Sequence, residues 1–111
     1  MQSATGPIPA TVTRQTPEAD LVALAAAGDG AAFELLMRRH NQLLFRTARS
    51  ILKNDAEAED AVQEGYLRAW RALGEFRTES RLSTWLVRIA ANEALGRLRR
   101  TGAQVSPLEA A

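Results

Sequence analysis

Between Asn54 and Gly74 the apolar residues Ala58, Ala61, Val62, Tyr66, Ala69, Trp70 and Leu73 return every three or four positions. A half-buried strand needs its apolar residues at every second position, so this segment has one stable solution, an amphipathic helix that buries that set. Asn54, followed three residues later by Glu57, has the form of a capping box at its start, and Gly74 is a natural stop.

The same period organises the rest of the chain. Thr16, Pro17 and Glu18 have the pattern of an N-cap with proline at the first helical position, opening a short helix through Leu21, Val22, Leu24 and Ala25 that Gly28 ends. Asp29 can cap a second, long helix to about Lys53, built on Phe33, Leu36, Met37, Leu43, Leu44, Ala48, Ile51 and Leu52, with a polar interruption at "RRHNQ". A loop, "GEFRTESR", leads to a fourth helix capped by Ser80 or Ser83 and ending near Arg100. No segment alternates as a strand does, so the fold is expected to be all-α, a compact bundle of about four helices. Residues 1–16 mix Pro, Gly, Thr and Ser without apolar periodicity and are expected to form a disordered leader. Residues 17–100 are expected to be the helical domain and 101–111 a tail or the start of an interdomain linker.

The fourth helix has two faces. At about 100° per residue, Leu82, Trp85, Leu86, Ile89 and Ala90 gather on one side, which is the core face. Arg81, Arg88, Asn92 and Arg99 fall together at roughly 240° to 280° on the same wheel, with Thr84 and Leu95 alongside. Such a stripe is either a solvated helix face or a nucleic-acid surface on which arginines take phosphates and an asparagine amide reads a base edge.

Charge favours a search for partners of both signs. Residues 1–64 carry nine acidic and six basic side chains, net −3, and residues 65–111 four acidic and eight basic, net +4. On the third helix, Asp60 and Glu64 are spaced i,i+4 and Glu57 and Asp60 i,i+3, which costs a few tenths of a kcal/mol per like-charge pair. First-turn acids suit the helix dipole, and Glu64 can pair with Arg68, but Asp60, Gln63 and Glu64 lie past that turn and suit a basic protein partner. Phe76, in a loop with Arg77, Glu79, Ser80 and Arg81, sits where a ring could stack on single-stranded bases.

Catalysis finds no residues to work with. Cysteine is absent, which excludes disulfides and thiolate zinc sites and suits a reducing cytoplasm. The single histidine, His40, reads as a surface or packing residue, and no cofactor or metal is expected. No apolar run reaches the roughly 18 residues of a membrane span, so no membrane insertion is expected.

The segments "GDGAAFELLMRRH" and "DAEAEDAVQEGYLRAWRALGEFRTESRLSTWLVRIAANEALGRLRR" resemble the core-binding and promoter-melting domain, region 2, of bacterial sigma factors of the extracytoplasmic-function group. The likeness covers about residues 18–100. It implies a non-enzymatic transcription initiation domain that binds the β′ clamp helices of core RNA polymerase and recognises and melts the promoter −10 element through the non-template strand. Carried over by motif, Asp60, Gln63, Glu64 and Arg68 become polymerase contacts. Phe76, Arg77, Glu79, Ser80, Arg81 and Leu82 become a loop pocket for a flipped base, and Arg88, Asn92 and Arg99 the DNA face, while Trp85 stays in the core. Leu82, Val87 and Thr78 stand where relatives often have an aromatic, Tyr and Gly. The resemblance also implies an anti-sigma factor as regulator, a monomer, and a second helical domain reading the −35 element, so this chain is expected to be one domain excised from a longer protein. A helical protein-interaction module without DNA binding is the alternative reading.

Overall fold

The computed structural model describes residues 13–77 and 81–110, with side chains as far as Thr101. Four helices follow one another: α1 (Glu18–Ala26), α2 (Gly30–Leu52), α3 (Asp55–Ala72) and α4 (Leu82–Ala110), with a 3₁₀ turn over Leu73–Glu75 after α3. Among the described residues there is no strand, as the apolar period requires. The long α2 packs against α1, α3 and α4, and α3 also packs against α4. Leu21, Leu36 and Leu86, from three different helices, are the largest fully buried side chains.

Two corners set the helix directions. At the first, the Gly28 N–H donates to the Ala25 carbonyl and the Asp29 N–H to the Leu24 carbonyl, a Schellman closure made possible by Gly28 at φ 108°. Asp29 then caps α2, its Oδ1 accepting from the Ala31 and Ala32 N–H groups at 3.0 and 3.1 Å. At the second corner Lys53 takes the left-handed conformation (φ 61°), a place where glycine is usual. Asn54 caps α3 through the Glu57 N–H at 2.8 Å, and Arg49 Nε reaches Asp55 Oδ1 at 2.6 Å across the bend. Only half of the expected capping box is built this way, because the Glu57 carboxylate meets Arg97 Nη1 of α4 at 3.3 Å.

Of the expected leader, residues 13–16 are structured, and residues 1–12 lie outside the described residues. Residues 13–16 form a turn in which the Thr16 hydroxyl accepts from the Thr13 N–H at 2.8 Å. Arg39 Nη2 donates to the carbonyls of Arg14 at 2.5 Å and Thr16 at 2.6 Å. The Thr16 hydroxyl thus closes this turn, and the N-cap position of α1 is Pro17, without a side-chain cap hydrogen bond. The polar "RRHNQ" interruption faces neighbours on two sides: Arg39 takes the turn, His40 Nε2 meets Glu18 Oε1 of α1 at 2.9 Å, and Asn41 accepts from the Tyr66 hydroxyl of α3. Helix α2 runs through this strip without a break.

Helix α4 departs from expectation at both ends. Its first intrahelical acceptor is the Arg81 carbonyl, bound by the Trp85 N–H at 3.2 Å, so Ser83 lies inside the first turn and is not its cap. Ser80 lies outside the described residues. At the other end the helix passes Arg100 and continues to Ala110. Gly102, just past Arg100, costs a helix only about 1 kcal/mol, too little to stop it at that position.

Candidate nucleic-acid interface

A cleft opens between α1 and the start of α4. Phe76, Arg81, Leu82 and Ser83 line one side and Glu18, Ala19 and Val22 the other, around about 380 Å³. The Phe76 ring leans on Trp85, with centroids 5.2 Å apart and planes at 48°, so half-buried Trp85 fixes the aromatic wall from behind. Leu82 is buried at the floor of the cleft, whereas Arg77 and Arg81 are exposed. Three of the six residues expected in a loop pocket, Phe76, Arg81 and Leu82, are thus brought together. Glu79 and Ser80, with Thr78, lie outside the described residues. The α1 wall escaped the sequence reading, since nothing local in "PEADLV" says that it faces a loop some sixty residues further on.

Arg88, Asn92 and Arg99 are all exposed on the continuous α4, one below the other as the wheel requires. Asn92 and Arg99 line a groove of about 420 Å³ between α3 and α4, together with Arg68, Glu93 and Gly96. Buried Gly65 of α3 lies under Ile89 and Ala90 of α4, where an added Cβ would sit in ordinary van der Waals contact, 3.6 Å from Ile89 Cγ2. Glu93 forms an ion pair with Arg68, and the expected Arg68 partner within α3, Glu64, stays exposed to solvent.

Asp60, Gln63 and Glu64 are exposed along the other flank of α3. Asp60 and Gln63 border a second groove, between α2 and α3, with Asn41, Gln42, Phe45 and Glu59. Arg68 belongs to the α4 side. Glu64 and Arg68, one turn apart and both exposed, join that flank to the α4 side, where Arg68 pairs with Glu93. The α2 contribution could have been sought in "RRHNQ", whose polar side chains have to face something. Burial pushes the Tyr66 hydroxyl above its usual range, and no cluster of three or more His, Asp or Glu side chains among the described residues could hold a metal. No helix is long and apolar enough to cross a membrane among those residues.

Residues 36–104 match the family described as Sigma-70 region 2. The ECF RNA polymerase sigma factor SigM of Mycobacterium tuberculosis is 44% identical over 93 residues, which take in 83% of this chain and 47% of that protein. The chain belongs to the sigma-70 region 2 family, in its extracytoplasmic-function group. Another relative of this region 2 domain is the RNA polymerase sigma-H factor of Pseudomonas aeruginosa, 37% identical over 84 residues, 76% of this chain and 44% of that protein. The region 2 chain thus spans about half the length of the curated relatives it matches. Among solved structures it is similar to an engineered region 2 of sigmaE in complex with GTAAAA, with TM-score 0.76 and 32% identity, covering 85% of this chain and 98% of that one. It is also similar to CnrH in complex with the cytosolic domain of CnrY, with TM-score 0.65 and 31% identity, covering 81% and 62%.

Proposed function

We propose that this region 2 domain acts in bacterial transcription initiation, holding the non-template strand of the promoter −10 element along α4 while the acidic flank of α3 docks on the β′ clamp helices of core RNA polymerase. The observation that carries the reading is the exposed series Arg81, Arg88, Asn92 and Arg99, whose upper end meets an aromatic-walled cleft. Arginines on one flank neutralise a phosphate backbone, and a ring with a guanidinium at its mouth suits an unstacked base. The sigmaE domain of the same fold, in complex with GTAAAA, supports it. Asp60, Gln63 and Glu64 supply the opposite charge for a basic protein surface. The complex of CnrH with CnrY favours a second protein partner, an anti-sigma factor.

The test compares one salt concentration and two substrates. Single-stranded non-template DNA bypasses the cost of opening a duplex, a few kcal/mol, so it should bind more tightly than duplex of the same sequence. Tighter binding to duplex would reject the melting role.

A further inference from the structure

Glu18 stands on the α1 wall of the loop cleft, and its carboxylate is held from outside that wall. His40 Nε2, on a side chain only 14% exposed, lies 2.9 Å from Glu18 Oε1. A first-turn acid favours the helix dipole, but Asp20 is placed to do that equally and does not border the cleft. Half-exposed Glu18 keeps acceptor capacity beyond its bond to His40, since a carboxylate has about four lone-pair sites.

We infer that Glu18 is a specificity-determining residue of this cleft, with His40 as its positioning residue, selecting an extruded base that carries an exocyclic amine and rejecting thymine. The inference rests on reading the cleft as a base pocket. Glu18 lines the cleft with Phe76 and Arg81, so a base whose face rests on the Phe76 ring can turn its edge to the Glu18 carboxylate. Cytosine, adenine and guanine each present an amine N–H there, which a carboxylate accepts. Thymine presents two carbonyl oxygens on either side of its one N–H, and these oppose a fixed negative charge.

The experiment titrates the chain and its Glu18→Gln variant with fluorescent single strands in which each position in turn carries each of the four bases. Gln keeps the shape and an acceptor for His40, and adds an amide donor that satisfies a thymine carbonyl. The original chain should show one position at which thymine lowers affinity by about tenfold, within the range of one good base contact. In Glu18→Gln that penalty should vanish while preferences at other positions persist. His40→Ala, checked for helicity by circular dichroism, should weaken the same single preference. An unaltered thymine penalty in Glu18→Gln, or an equal loss for all strands, would overturn the inference and leave the base pocket standing. Failure of the original chain to bind any strand would instead overturn the pocket reading itself.

Discussion

Arg68 on α3 and Glu93 on α4 form an ion pair of unequal partners: the arginine side chain is 65% exposed and the carboxylate 11%. Exposed pairs contribute little, but removing the outer partner strands the inner charge in the groove. Arg68→Met should therefore lower stability by about 1–2 kcal/mol, and adding Glu93→Gln should restore at least half of the loss. Urea unfolding followed by circular dichroism gives both numbers. An equal loss in the single and double variants would mean that Arg68 acts through its aliphatic stem.

On the acidic flank, Asp60 and Glu64 are one turn apart and exposed. Reversing both to Lys should weaken binding to core polymerase by about 1–3 kcal/mol and leave helicity unchanged, because two like charges replace two others. Titration with core polymerase, beside a circular dichroism spectrum, checks this. Undiminished affinity would exclude this flank from docking.

Asn92 and Arg99 border one groove but suit different atoms of DNA. Asn92→Ala should lower affinity for the preferred −10 strand by about 1–3 kcal/mol and flatten discrimination among sequences. Arg99→Ala should weaken every strand alike and reduce the salt slope by about one contact. Fluorescence anisotropy on preferred and scrambled strands at two salt concentrations separates the two. Equal loss on both strands in Asn92→Ala would refute base reading there.

Tyr66 is the single tyrosine of the chain, so its ionisation is read directly from tyrosinate absorbance. Burial raises its pKa, which means that the folded state holds the proton more tightly than the unfolded one. The associated stability is complete below the unfolded value of about 10 and is lost as pH rises through the folded value. Urea midpoints should fall across that window and do so less in Tyr66→Phe. An identical fall in the variant would assign the alkaline loss to other groups.

Much of this was legible in the sequence because it is local. The four-helix order, the caps at Asp29 and Asn54 and the line from Arg81 to Arg99 each depend on spacing within one segment, and spacing is what a helix turns into geometry. Trp70 falls on the core-face period of α3, yet it is 39% exposed and rests edge-on against Phe33, centroids 4.9 Å apart. Its ring is too large for a helix contact elsewhere made by Ala61, Gly65 and Ala69. Non-local partners were out of reach. Arg68 with Glu93, Glu57 with Arg97, and Glu18 with His40 join residues on different helices, and many opposite charges could have satisfied each of them.

Asp29 belongs to two helices at once, ending α1 with its N–H and opening α2 with its carboxylate. No spacer residue separates the two uses, so chain length at this corner is a ruler. Adding one residue would force Asp29 to give up one helix or the other, and α1 would swing about its new hinge, drawing Glu18 and Val22 away from Phe76. An insertion between Gly28 and Ala31 would move the α1 wall without changing any side chain that lines the cleft. The width of the cleft is thus set by counting residues at a corner that never touches whatever the cleft holds.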